Sequence, residues 1–260
     1  ETFTGNQIGA LLTDYILSRR KSMGLGSDRD VIIKTIVTSE IGRAIASSYG
    51  AETLDTLTGF KYIAEKIEQF SKTGEKNFVF GYEESNGYLA GDFVRDKDGV
   101  IAALLVCEAA LYHKHKGVTL SEVLEDLYRR HGYFLEDVVS IRLEGCEGLE
   151  KIKGIMQHFR ESKGHIAKLM GEPVQETRDY LSGLRYDQEG AELGGLDLPV
   201  SDVLYFALGG SSWVCIRPSG TEPKLKLYYS VVAPGKEEAL ERLERLKKRL
   251  DRVIKEVIGS

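Results

Sequence analysis

Residues 215–230 read CIRPSGTEPKLKLYYS, a short polar loop between two strand-like arms. Leu204–Leu208 and Trp213–Ile216 precede the loop and Leu225–Val232 follows it, all rich in β-branched and aromatic residues. Gly209-Gly210 supplies a hairpin turn between the first two runs. The loop itself carries Arg217, Ser219, Gly220 and Thr221, with Lys224 and Lys226 just beyond. A guanidinium presents a rigid fork of donors that matches a phosphate dianion. Hydroxyls add donors, and glycine lets backbone N–H groups turn inward as an anion nest. On these residues alone, a phosphate site and an ordinary Pro-Ser-Gly surface turn remain level.

Outward from this hairpin, the C-terminal half reads as an α+β domain with an antiparallel sheet and two helices. Val138–Leu143 and Arg178–Arg185 supply further strands, and Leu149–Arg160 a helix. A closing helix shows Leu240, Leu243, Leu246, Leu250, Val253 and Val257 on one face. It covers only about three heptads, so packing on its own sheet is favoured over a coiled coil.

The first half alternates strands with helices. Thr4 and Gln7 form a capping box before an apolar stripe of Ile8, Leu11, Leu12, Tyr15 and Ile16. Asp30–Val37 reads as a buried strand, with Thr38 or Ser39 capping the helix after it. Glu52–Leu57 and Phe78–Tyr82 are further strands, and Ile63, Ile67 and Phe70 mark the helix between them. A long apolar helix over Val100–Tyr112 and another over Ser121–Arg130 follow. This order predicts a three-layer α/β domain over residues 1–131, with a mixed, mainly parallel sheet, ahead of the α+β domain over 132–260.

Composition narrows the functional classes. The net charge of −5 does not suggest a nucleic-acid binder, so an anion site must be local. No apolar run approaches the ~20 residues of a membrane helix. Cys107, Cys146 and Cys215 are odd in number and widely spaced, which suits free thiols in a reducing compartment, the cytoplasm. The histidines lack ligand spacing, and Asp92, Asp96 and Asp98 in GDFVRDKDG read as a solvated turn. Thr58-Gly59-Phe60-Lys61 and Glu83-Glu84-Ser85-Asn86-Gly87 lie at junctions where strands end, as ligand loops do in parallel α/β sheets. Their shared position with the polar loop predicts convergence on one cleft.

Three stretches, TLTGFKYI (56–63), GYEESNGYLAGD (81–92) and IRPSGTEPKLKLYYS (216–230), together resemble the last two domains of the α-D-phosphohexomutases, the phosphoglucomutase and phosphomannomutase superfamily. The resemblance spans the chain in order and is strongest to bacterial phosphoglucomutases. It implies an enzyme that interconverts hexose 1-phosphate and 6-phosphate, glucose first, through a bisphosphate. It further implies Mg²⁺ and glucose 1,6-bisphosphate as cofactors of the whole enzyme, with none held by this chain. The phosphoserine and the metal-binding aspartates would lie in N-terminal domains ahead of residue 1. Carried onto this sequence, Arg217, Ser219, Gly220 and Thr221 match the phosphate loop, and Lys226 more loosely. Glu83 and Ser85 match the sugar-binding loop, and Thr58, Gly59 and Lys61 the specificity loop. Phe60 stands where some members have histidine, which leaves Lys61 as the acid/base candidate only if its pKa is lowered. The expected partners are a hexose phosphate and the missing domains, with no nucleic acid and no membrane. The alternatives are a stand-alone sugar-phosphate-binding module, or part of a phosphomannomutase or phosphopentomutase.

Overall fold

A computed structural model describes residues 2–143, 145–220 and 222–259, with the backbone alone of Cys146. The chain divides into two compact units, Glu1–Gly132 and Tyr133–Ser260.

In the first unit, α1 (Gly5–Ser22) starts from the predicted capping box. The Thr4 side chain accepts the Gln7 N–H and the Gln7 side chain accepts the Thr4 N–H. Then follow β1 (Asp30–Thr35), α2 (Ile41–Ser48), β2 (Glu52–Thr56), α3 (Phe60–Thr73), β3 (Asn77–Glu83), β4 (Gly87–Ala90), α4 (Gly99–His115) and α5 (Leu120–His131). The sheet order is β2-β1-β3-β4. β1 pairs parallel with β2 and β3, while β4 returns antiparallel on β3. Alternation splits β1 between two layers. Val31 and Ile33 pack with Phe60, Ile63, Ile67 and Phe70 of α3, whereas Ile32 joins Leu12, Ala46, Phe80, Tyr82 and Ala102. The result is a three-layer sandwich with a mixed, mainly parallel sheet. Tyr82 fills the gap left by two glycines: a Cβ at Gly9 or Gly42 would fall 2.2 or 2.1 Å from its ring or hydroxyl.

Two local details differ from the sequence pattern. Glu40 occupies the N-cap position of α2 without a side-chain cap bond, and Ser39, one residue earlier, accepts the Ile41 N–H on its hydroxyl at 3.3 Å. β4 was unforeseen: Asn86, at φ 63°, turns the chain back after Glu83 so that Gly87 pairs with it.

In the second unit, β5 (Tyr133–Arg142), α6 (Gly145–Glu161), α7 (Ile166–Met170), β6 (Val174–Asp179), β7 (Leu184–Tyr186), β8 (Glu192–Gly195), β9 (Leu204–Leu208), β10 (Trp213–Pro218), β11 (Lys224–Ala233) and α8 (Lys236–Ile258) follow in order. Seven strands lie in the order β5-β11-β10-β9-β6-β7-β8, with every pairing antiparallel. One sheet face carries Leu225, Leu227, Tyr229 and Val231 against Ile155, Phe159, Leu243, Leu246 and Leu250 of α6 and α8. The α+β class holds, with a third, five-residue helix, α7, beyond the two expected. The predicted strand 178–185 is two strands, since the chain turns after Asp179 and passes through Gly183 at φ 72°. The β9–β10 turn centres on Gly210 and Ser211, both at positive φ, one residue later than expected.

Candidate functional site

At the carboxyl end of the parallel strands, Glu83 closes β3 and is buried at 6% exposure. Burial of a carboxylate demands partners. One oxygen, Oε1, accepts the Gly59 N–H at 3.0 Å, and the other lies 3.3 Å from Lys97 Nζ. Gly59 is the N-cap of α3 at φ 119°, a conformation that favours glycine, and α3 gains no capping bond from it. Glu83 thus ties the 58–61 loop to the end of β3. Thr58 and Gly59 are half-buried, Phe60 is buried beneath Lys97, and Lys61 is exposed with Nζ 4.7 Å over the Tyr62 ring. Ser85 is exposed at the turn tip. The neighbouring Glu84 Oε2 lies 3.4 Å from both Thr35 Oγ1 and Thr38 Oγ1.

Two residues at this end were not picked out as functional. Lys97 sits in the turn read as solvated, and its contact to Glu83 crosses fourteen residues, beyond any local pattern. Lys34, inside the strand-like run DVIIKTIV, is fully buried. Its ammonium meets Glu40 at 2.8 Å and Asp55 at 3.0 Å. Arg43 bridges the same two carboxylates at 2.6 Å each. Burial alone would lower the Lys34 pKa, but Asp55 and Glu40 outweigh it and hold it above the ordinary lysine range. Burial likewise pushes the Glu40 carboxyl up, and Lys34 and Arg43 more than reverse this. This network welds the ends of β1 and β2 three residues ahead of Thr58.

The second unit presents a different surface. Lys226 stands directly opposite Arg217 on β10 and opposite Ser140 on β5. Lys224 stands opposite Arg142 in the same way. Opposed residues of an antiparallel pair share a face. Alternation from the core residues Leu225 and Leu227 puts Arg217, Lys226, Lys224 and Arg142 on the face away from the helix-packed core. Glu222 pairs with Lys224. Among the described residues, neither the Arg217 guanidinium nor the Ser219 hydroxyl has a hydrogen-bond partner. The loop is closed by the Ser219 N–H donating to the Lys224 carbonyl at 2.7 Å, and Gly220 is exposed. Thr221, named with this loop, lies outside the described residues.

Residues 4–131 match the phosphoglucomutase/phosphomannomutase alpha/beta/alpha domain III, and residues 184–251 match the C-terminal domain of the same family. The chain belongs to the phosphoglucomutase/phosphomannomutase family. A phosphoglucomutase of Staphylococcus aureus (strain MRSA252) is 36% identical over 244 residues, which cover 94% of this chain and 43% of that protein. One from Staphylococcus epidermidis RP62A is 37% identical over 231 residues, covering 88% and 40%. The chain therefore spans about two fifths of the length of these curated relatives. The fold is shared with the open form of pp63/parafusin, a phosphoglucomutase from Paramecium, at TM-score 0.64 and 18% identity over 99% of this chain and 41% of that one. It is also shared with a phosphoglucomutase/phosphomannomutase family protein of Burkholderia thailandensis, at TM-score 0.50 and 15% identity, covering 97% and 42%. No helix among the described residues is long and apolar enough to cross a membrane.

The family resemblance brings Mg²⁺ with it, and the donor set can be tested. No group of three or more His, Cys, Asp or Glu side chains among the described residues could hold a metal ion. Asp98 accepts the Val100 and Ile101 N–H groups at the start of α4, and Asp96 accepts the Lys97 N–H. These residues do not fit Mg²⁺.

Proposed function

We propose that this chain forms the sugar- and phosphate-binding part of a phosphohexomutase that interconverts hexose 1-phosphate and 6-phosphate, glucose first. The observation that carries the reading is the opposed pair Arg217 and Lys226, two cations facing each other on one sheet face. Opposed like charges cost stability in a sheet, and an anion between them removes that cost. Arg217, Ser219, Gly220, Thr221 and Lys226 hold the phosphate that is not reacting.

Glu83, Ser85, Thr58, Gly59 and Lys61 receive the sugar hydroxyls. An ionised carboxylate offers about four lone-pair sites. Glu83 uses one on Gly59 and one on Lys97, which leaves acceptors for a pair of ring hydroxyls. Lys97 contributes by fixing the Glu83 carboxylate and by placing a proton donor beside it. Lys61 stands over the ring of the adjacent Tyr62. Ground-state binding of two sugar orientations then needs one fixed phosphate grip and one acceptor tolerant of which hydroxyls it meets. The nucleophilic phosphoserine, the Mg²⁺ ligands and the glucose 1,6-bisphosphate cycle belong to domains upstream of this sequence, and the whole enzyme works in the cytoplasm, where Cys107 and Cys215 stay reduced.

The test is titration calorimetry of glucose 6-phosphate into the wild-type chain and Arg217→Ala. Loss of a charge-assisted, bidentate contact is expected to cost about 1.5–3 kcal/mol, roughly tenfold to a hundredfold in affinity. Equal affinity would remove Arg217 from the phosphate site. The same chain is expected to give no turnover of glucose 1-phosphate, and measurable turnover would sink the assignment of the nucleophile to upstream domains.

A further inference from the structure

Helix α4 breaks the rule that its neighbours obey. A helix apolar all round is normally buried on every side. Between Val100 and Leu111 the sequence VIAALLVCEAAL holds one charged residue, Glu108. Only Ala102 and Ala109 of the helix are buried. Val100, Leu104 and Leu111 are 81, 60 and 56% exposed, and Cys107 is exposed between them. Spacings of four, three and four residues put these on one stripe. Leu105 and Val106 already serve the core, so the stripe is surplus to it. Interface cores show this same depletion of charge.

Three facts say what covers the stripe. The matched regions are domain III and a C-terminal domain, and the curated relatives are more than twice as long as the matched region, so their additional chain lies largely ahead of it. The chain enters the first unit through α1. The Tyr88 hydroxyl donates to the Gly5 carbonyl at 3.0 Å, and the Tyr88 carbonyl accepts the Asp98 N–H at 2.8 Å. One tyrosine therefore links the start of α1 to the start of α4, so chain arriving at Thr4 enters within a tyrosine's reach of the start of α4. We infer that Val100, Leu104, Cys107 and Leu111 form the docking face for the polypeptide segment that immediately precedes residue 1. This rests on the proposed reading of the chain as part of a longer mutase.

The experiment uses the purified chain and the polypeptide encoded directly upstream of Glu1, expressed separately and shown to be folded by circular dichroism. Alkylation of Cys107 is followed by mass spectrometry. A stable complex is expected, with Cys107 modified at least tenfold more slowly than in the chain alone. Leu104→Glu is expected to weaken the complex at least tenfold, whereas Leu240→Glu, at an exposed position of α8, leaves it unchanged. Unaltered Cys107 reactivity in the presence of the folded upstream segment overturns the inference. So does a Leu104→Glu chain that binds as tightly as wild type, or light scattering that shows the stripe closed by a second copy of this chain. Glucose 6-phosphate titration of the chain alone reads the Arg217 loop independently, so failure there and failure here are separable.

Discussion

The carboxyl end of the first unit's sheet and the β10–β11 hairpin of the second both concentrate charge, and they treat it in opposite ways. At the first, most cations meet carboxylates: Lys34 and Arg43 share Glu40 and Asp55, and Lys97 meets Glu83, while Lys61 lies over the Tyr62 ring. At the second, Arg217 faces Lys226, and Arg142 faces Lys224, across the ladder, with Glu222 paired to Lys224. A satisfied network fixes geometry, whereas an unsatisfied one stores a preference for a counter-charge. The first suits loops that must present hydroxyl acceptors in a fixed place. The second suits the phosphate grip proposed above, a surface completed by an anion.

The largest expected effect breaks the satisfied side. Lys34→Met keeps the volume of the side chain but leaves Glu40 and Asp55 to Arg43 alone and strips the Thr35 and Thr38 carbonyls of a donor, at a cost of about 1–3 kcal/mol. The single tryptophan, Trp213, lies in the second unit and reports on it alone. Urea unfolding by far-UV circular dichroism is expected to show a new early transition, while the Trp213 fluorescence midpoint stays in place. A shift of both signals together would show that the two units unfold as one.

Acidification is the next way to separate the two regions. Burial lowers the pKa of His113 and, with help from Arg130, that of His131 below the usual 6.5. The unfolded chain then binds more protons than the folded one, so stability falls as pH drops below 6.5. Glu40, held low by Lys34 and Arg43, adds stability that is present above 4.5 and is lost as pH falls through its folded value. The first unit should lose stability in two steps, the earlier removed by His113→Gln with His131→Gln. Circular dichroism melts at pH 7, 5.5 and 4 check this. A first-unit midpoint independent of pH between 7 and 5.5 would refute the histidine assignment.

What could be read from the sequence followed the reach of each interaction. The Thr4–Gln7 box, the Ile63–Ile67–Phe70 stripe and the β10–β11 pairing depend on neighbours a few residues apart, and they fold as read. The loops at 58–61 and 83–87 were visible because turn chemistry is local. Lys34 was not, since its partner Asp55 lies on another strand and a lone lysine in DVIIKTIV does not disturb the hydrophobic pattern. Lys97 was hidden for the same reason, and the short strands β7 and β8 carry too little β-branched sequence to stand out from loop. The exposed stripe of α4 is legible only in three dimensions, because an apolar helix and a buried one look alike in sequence.

The smallest effect is also the most discriminating, because its sign must reverse. Lys226→Gln removes one of two cations held opposite each other on a half-exposed sheet face. Without ligand, relief of that repulsion should stabilise the second unit by about 0.2–1 kcal/mol, seen as a higher Trp213 unfolding midpoint. A ligand that binds only the folded state adds stability in proportion to the logarithm of its concentration over its dissociation constant. With glucose 6-phosphate in excess, the wild type gains this contribution in full and the variant gains less, so the order of the two midpoints should invert. Raised salt should shrink both differences, since half-exposed charges are screened within about 10 Å at 0.1 M. A variant less stable than wild type in the absence of ligand would mean that Lys226 is held by favourable contacts already. The hairpin would then be an ordinary, self-satisfied turn, and the contrast between the two regions would vanish.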